Sequence, residues 1–143
     1  MKSKRIKMSE SQSHVKLVNI AFDYIKKKIS NNCESLIECD SVSTQKPSKI
    51  IGGFIPDVFF TYRDLLIIGE AKTEDDFERR HSKNQYAAYI QECCRFDGKA
   101  ILVIAVPWNM IFTAKNYFRR LKADVGFLGE IIILNNIGGE YLL

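Results

Sequence analysis

Two short stretches hold residue types that could do chemistry together: Ile55-Pro56-Asp57-Val58 and Gly69-Glu70-Ala71-Lys72. They lie in two β-rich runs, Phe54 to Tyr62 and Leu65 to Lys72, on either side of Arg63-Asp64, and this pattern predicts a hairpin. A turn centred on Arg63-Asp64 sets Asp57 directly opposite Glu70, and directly opposed residues face one side with Cβ atoms about 4.5–5.5 Å apart. Lys72, two residues further on, faces that side as well. An odd-length loop would shift the register and break the cluster. Two carboxylates in contact repel by about 4 kcal/mol at an effective dielectric of about 20. Such a pair must take up a proton or hold a cation between its members. Carboxylate, carbonyl and water oxygens suit a hard divalent ion, magnesium or manganese. The ion would activate a water and stabilise charge developing at a phosphorus centre. Lys72 would orient the water or neutralise the transition state. Short acidic-x-basic triplets are common, and Glu70-x-Lys72 alone reads as an exposed ion pair. The chemical reading rests on context: the triplet closes an apolar strand and faces a Pro-Asp pair.

The elements needed to position these groups can be read from periodicity. Residues 1 to 10 are polar and basic and are expected to be loose. From Ser13 to Ile29 the apolar positions Val15, Leu17, Val18, Ala21, Phe22, Ile25 and Ile29 step by three and four, which predicts an amphipathic helix started by a Ser cap. Ser35 to Val42 reads as a strand, Ser43 to Lys49 as a loop, and Gly52-Gly53 as a turn or bulge. Both hairpin runs are apolar on both faces, which implies a sheet covered on each side. Thr73 to Arg80 reads as charged and irregular, its run Glu74-Asp75-Asp76 as a flexible loop. A helix is expected from about Ser82 to Phe96, stopped at Asp97-Gly98. Ala100 to Val106 reads as a central strand ended by Pro107, Ile111 to Lys122 as a second amphipathic helix with Phe112, Tyr117, Phe118 and Leu121 inward, and Glu130 to Leu134 as a last strand. With no repeat and no linker, residues 1–143 read as one α/β domain.

On these residues the chain resembles the PD-(D/E)XK nuclease superfamily: Pro56-Asp57, twelve intervening residues, then Glu70-Ala71-Lys72. Gln85 and Tyr89 match the Q-x-x-x-Y pattern of RecB-like nucleases, and Gly53, Pro56-Asp57, Glu70-Ala71-Lys72, Gln85 and Gly98 together look like the VRR-NUC branch. The resemblance runs from about Gly52 to Val106. It implies a restriction-endonuclease-like fold, a central mixed sheet of four to five strands flanked by helices on both faces. It also implies that Asp57, Glu70 and the Ala71 carbonyl hold magnesium or manganese, and that Lys72 is catalytic. Some members add a Glu ligand from the first helix, where this chain offers only Asp23, and His14 near the start. The iron–sulfur members' cysteine spacing is not matched by Cys33, Cys39, Cys93 and Cys94, so no cluster is expected.

Gln85 and Tyr89, four apart, share a helix face. They could reach the catalytic cluster or a DNA phosphate; taken alone they read as a surface Gln beside a half-buried Tyr. His81, on the same face, reads as incidental. Arg79, Arg80 and Lys83 follow the active strand and could grip a nucleic-acid backbone, whereas Arg119, Arg120 and Lys122 read as the solvated face of a helix. Gly138-Gly139 and the apolar end Tyr141-Leu142-Leu143 fit either a sheet-edge cover or a homodimer contact. The net charge of +4, from 21 basic and 17 acidic residues, is mildly basic and fits nucleic acid without requiring it. The adjacent cysteines, with no CxxC pair, argue against a disulfide framework or zinc and for reduced thiols in a cytoplasmic protein, Cys93 and Cys94 half-buried on a helix. The longest apolar run, Ala100 to Val106, is far short of the roughly 20 residues that span a membrane. The expected function is therefore metal-dependent hydrolysis of DNA, by direct attack of activated water, on duplex, branched or single-stranded substrates. The small size favours structure-selective repair or junction cutting. A sequence-specific restriction-type dimer and a catalytically silent nucleic-acid-binding module are the alternatives.

Overall fold

The computed structural model describes residues 2–39 and 48–143, with side chains described from Gln12 onward. Its elements are α1 (Lys2–Lys28), β1 (Glu38–Cys39), β2 (Val58–Tyr62), β3 (Leu65–Ala71), α2 (Glu74–Phe77), α3 (Arg80–Arg95), β4 (Lys99–Val106), α4 (Ile111–Val125), β5 (Glu130–Asn135) and β6 (Glu140–Leu142). Short 3-10 helices cover Asn31–Leu36 and Trp108–Met110. The strands form one mixed sheet in the order β1-β2-β3-β4-β5-β6. It has six strands rather than four to five, because short strands close both edges. Strands β3, β4 and β5 are parallel; the β1/β2, β2/β3 and β5/β6 pairs are antiparallel.

The layers follow from connectivity. Two successive strand–helix–strand crossovers, β3-α3-β4 and β4-α4-β5, move the same way across the sheet. A shared hand of connection then puts α3 and α4 on one face, leaving the other for α1. Along β4, Ala100, Leu102, Ile104 and Val106 face α3 and α4, while Ile101, Val103 and Ala105 face α1. Burial on both faces explains the unbroken apolar run. On α1 the seam is Leu17, Val18, Ala21, Phe22 and Ile25, as the spacing predicts. Gly69 lets this helix come close: a Cβ there would lie 3.0 Å from Val58 Cβ and 3.1 Å from Ile25 Cδ1. Gly98 has a stronger requirement, since its Cβ would lie 2.3 Å from the Asp64 carbonyl oxygen, which accepts the Lys99 N–H at 2.7 Å.

Several boundaries differ from the sequence reading. Helix α1 begins at Lys2 rather than Ser13, and α4 runs on to Val125, where Gly126 caps it in the left-handed conformation (φ 69°). Of the strand expected over Ser35–Val42, Glu38–Cys39 is a strand, and Ser35 and Leu36 belong to a 3-10 helix that ends at Leu36; residues 40–47, which include the rest of that strand and most of the expected loop, lie outside the described residues. Strand β2 starts at Val58 because Ile51 and Phe54 close a tight turn on themselves through paired backbone hydrogen bonds. The stretch read as irregular holds α2. Its acidic residues sit in a helical turn rather than a flexible loop because Phe77 is fully buried beneath them. The Phe77 ring meets Tyr86 at 5.3 Å and Tyr117 and Phe118 at 6.0 Å, and the Tyr86 hydroxyl donates to the Phe77 carbonyl at 2.9 Å. The chain end forms edge strand β6, with Tyr141 opposite Ile133. Cys93 is buried and Cys94 exposed. No helix among the described residues is long and apolar enough to cross a membrane.

Because Phe77 anchors the segment that follows Lys72, Phe77→Ala should cost about 3–5 kcal/mol in urea unfolding, the usual range for a buried Phe. A loss below about 1 kcal/mol would mean that α2 is not docked on this core.

Candidate active site

The hairpin holds the register that the Arg63-Asp64 turn predicts. Val58 pairs with Gly69, Phe60 with Ile67 and Tyr62 with Leu65, and Arg63 takes φ 55° at the turn. One step beyond the last β2 pair, Asp57 stands across from Glu70, and the two are joined through the backbone. The Asp57 N–H donates to Glu70 Oε1 at 3.1 Å, and the Ala71 N–H donates to Asp57 Oδ2 at 2.9 Å. The backbone of Lys72 is fixed by its N–H to the Ala105 carbonyl at 3.0 Å, continuing the parallel ladder. Its ammonium lies 3.3 Å from Glu70 Oε2 and donates to Gln85 Oε1 on α3. The site thus lies at the carboxyl ends of β3 and β4, where open α/β sheets commonly bind ligands.

Main-chain geometry adds a further oxygen. The N–H and C=O of a strand residue point to the same edge, so the Ala71 carbonyl faces the edge on which its N–H meets the Asp57 carboxylate. Continuing the ladder, the residue opposite Ala71 is Pro56, which has no N–H to donate. The proline thereby leaves the carbonyl without its ladder donor.

Burial makes the site electrostatically tense. Glu70 is 3% exposed, Lys72 and Gln85 are 8% exposed, and Asp57 is half-buried. Burial first and the Asp57 charge second push the Glu70 carboxyl up to about 8, against the opposing pull of Lys72. The Tyr89 side chain is fully buried; its hydroxyl feels Glu70, Asp57 and Gln85 but makes no hydrogen bond of good geometry. His14, near the middle of α1, brings Nε2 to 3.2 Å from Asp57 Oδ2. That hydrogen bond raises its pKa above the usual imidazole value, and burial opposes it. Among the described residues, no three His, Cys, Asp or Glu side chains converge on one metal position. The available donor set is two carboxylates and a carbonyl.

Asp57, Glu70, Ala71, Lys72 and Gln85 come together, with Gln85 meeting the lysine. Tyr89 lies inside, behind Gln85, rather than on the surface. Arg80 and Lys83 are exposed on the first turns of α3, Lys83 sitting over the Tyr117 ring. Arg79 is engaged by α2, through Asp76 and the Asp75 carbonyl. His81 packs edge-on against Phe54. Asp23 lies elsewhere, in a hollow beside Leu134 and Gly139. The sequence reading passed over Trp108, an exposed residue two positions beyond β4 on the same sheet end; a lone Trp after Pro107 was the signal available. No family model, curated protein or solved structure matches this chain.

Stability should respond to pH through this cluster. Between the ordinary Glu value of 4.5 and about 8, folded Glu70 keeps a proton that the unfolded chain has released, so stability falls as pH rises. His14 acts in the same direction: its raised pKa gives stability that is full below 6.5 and lost as pH rises through the folded value. Metal-free protein should melt lower at about pH 9 than at about pH 6, and Glu70→Gln should flatten that slope. A wild-type melting profile level over this range would contradict the assignment.

Proposed function

We propose that this chain is a metal-dependent deoxyribonuclease with a restriction-endonuclease-like fold, hydrolysing DNA phosphodiesters at a site built from Asp57, Glu70 and Lys72. The observation that carries this reading is a buried carboxyl, Glu70, set against a second carboxylate and contacted by a lysine that Gln85 holds in place. A structural sheet gains nothing from that arrangement, since a well-packed apolar set is often as stable or more so. The donor set fits a hard divalent ion. Magnesium commonly takes one or two carboxylates, waters and substrate phosphate oxygens rather than an all-protein cage. Asp57, Glu70 and the Ala71 carbonyl would hold it. When bound, magnesium or manganese would supply Lewis-acid stabilisation of the phosphoryl oxygens and a lowered pKa for water.

The protein's own groups divide the remaining work. Lys72, whose ammonium lies 3.3 Å from Glu70 Oε2, would direct that charge at the developing negative charge. Gln85 accepts from Lys72 and restricts its rotamers, so little reorganisation is needed at the transition state. The His14 imidazole orients Asp57 through Oδ2. Exposed Arg80 and Lys83 lie beside the site and suit the DNA backbone. A structure-selective role in repair or junction and flap processing is favoured, with a sequence-specific restriction-type dimer as its rival.

Three outcomes test this reading on one set of DNAs, single-stranded, duplex, flapped and four-way. Asp57→Ala should abolish cleavage while the fold survives. Manganese at a hundredfold excess over its dissociation constant should stabilise the wild type by about 2.7 kcal/mol. Lys72→Ala should keep that stabilisation, since an ammonium has no lone pair for a metal. Its single-turnover cleavage should nevertheless fall by several powers of ten, as an electrostatic contact to the transition state is commonly worth about 2.7–4 kcal/mol or more. Arg120→Ala, on the solvated face of α4, is the control and should cut normally. Normal cleavage by Lys72→Ala would remove the catalytic lysine from the assignment.

A further inference from the structure

Beyond the catalytic cluster, one surface combines aromatic rings with unneutralised positive charge. A groove of about 440 Å³ runs between α4 and edge strand β6, lined by Ile111, Phe112, Lys115, Asn116, Arg119 and Tyr141. Phe112 is 81% exposed, and no neighbouring element covers it. Among the described residues neither cation forms an ion pair. Lys115 sits 4.7 Å over the Tyr141 ring, and Arg119 donates to Asn116 at 3.4 Å. The adjoining Glu140 belongs to the other side of the sheet, because side chains alternate along a strand. The groove is therefore apolar and cationic, with no carboxylate in its lining.

Its position ties it to the catalytic edge. Both lie on the sheet face covered by α3 and α4, and β6 is three strand spacings from β3, about 14 Å. Trp108, 61% exposed, stands one helical turn before Phe112 on the rim between them. That rim is fixed from two directions. The Trp108 N–H donates to Asn136 Oδ1 at 2.9 Å, and Asn109 donates to Glu74 Oε2 at 3.0 Å, two residues beyond Lys72. Across the rim, the α2 carboxylates disfavour a phosphate but not the uncharged face of a base.

We infer that the Trp108–Phe112 rim and the α4/β6 groove bind an unpaired single strand of DNA leading to or from the catalytic edge, with bases stacked on Trp108 and Phe112 and phosphates on Lys115 and Arg119. The inference rests on the nuclease reading for the identity of the strand. Charge complementarity selects the occupant. Stacking rings beside cations spaced along a helix are what a sequence-tolerant single-strand site uses. A duplex offers no free base faces, and an apolar protein partner would leave both cations without counter-charge. The substrate is thereby narrowed to DNA with a single-stranded arm, flapped, splayed or unpaired.

Trp108 is the chain's one tryptophan, so its emission reports this rim alone. The test titrates full-length protein, in chelator so that nothing is cut, with a fluorescent-label-free single-stranded oligodeoxynucleotide and with the matching duplex. The single strand should quench Trp108 emission; the duplex should bind more weakly and leave emission nearly unchanged. Phe112→Ala should weaken single-strand binding by about tenfold, one stacked base's worth. Arg119→Ala should flatten the salt dependence of log affinity by about 0.7, the share of one single-strand phosphate. Both side chains are exposed, so both variants should melt as the wild type does. Unchanged emission at saturation, or wild-type affinity in both variants, would overturn the groove assignment; so would an equal response to duplex. Cleavage, measured separately with manganese, keeps the two readings apart. Quenching without cleavage under any divalent ion would sink the nuclease reading and leave the groove, while cleavage with no effect of Phe112→Ala on flapped DNA would do the reverse.

Discussion

Glu70 is a carboxyl held almost out of water at the edge of an apolar sheet, with a second carboxylate across the hairpin. Nearly every polar contact around it answers that arrangement. The Asp57 N–H and the Lys72 ammonium turn toward Glu70, while the Ala71 N–H and His14 turn toward Asp57. These groups reduce the repulsion without removing it, because burial and the Asp57 charge still outweigh Lys72 in setting the Glu70 proton affinity. A doubly charged cation between the carboxylates would reverse that balance. The architecture keeps Glu70 nearly dry and holds it opposed to the half-buried Asp57.

Each layer contributes one part. The hairpin turn fixes the register that opposes Asp57 to Glu70, and Pro56 ends the ladder, leaving the Ala71 carbonyl without its ladder donor. Strand β4 holds Lys72 through its backbone, and α3 covers the lysine and supplies Gln85. Helix α1 approaches through the missing side chain of Gly69 and carries His14 to the outer oxygen of Asp57. On the far side of α3, the ring cluster of Phe77, Tyr86, Tyr117 and Phe118 locks α2 and α4 to the sheet, so that the segment after Lys72 cannot swing away. A further hollow of about 400 Å³, near Cys94 and Phe127, lies at the opposite sheet end and takes no part in this arrangement.

Much of this was legible in the residues themselves. Hairpin register needs only the turn position and the two-residue side-chain period, so the opposition of Asp57 and Glu70 could be read directly. The apolar run of β4 marked a central strand, and the three-four steps of α1 marked its inward face; on α4, Tyr117, Phe118 and Leu121 meet the core as read, whereas Phe112, also read as inward, is exposed. What could not be read depended on distance in sequence. The edge strand β6 is three residues long and holds its place by pairing, which leaves almost no periodic signal. Helix α2 is three charged residues and a phenylalanine whose buried ring makes it stable, a tertiary effect that outweighs local composition. The contact of His14 with Asp57 spans 43 residues, and that of Gln85 with Lys72 spans 13. Spacing within one helix names the face that Gln85 occupies but not that its partner is the lysine rather than a phosphate or an ion.

The central claim is that the Asp57–Glu70 pair is poised for a divalent cation. The most direct measurement is the carbon-13 NMR titration of the Glu70 side-chain carboxyl, made without metal and again in saturating magnesium. The account predicts a midpoint near 8 without metal and a large downward shift with magnesium, because the bound cation favours the charged carboxylate. A midpoint close to the ordinary 4.5 that ignores magnesium would contradict it, and would leave Glu70 and Lys72 as a plain ion pair at the end of a strand.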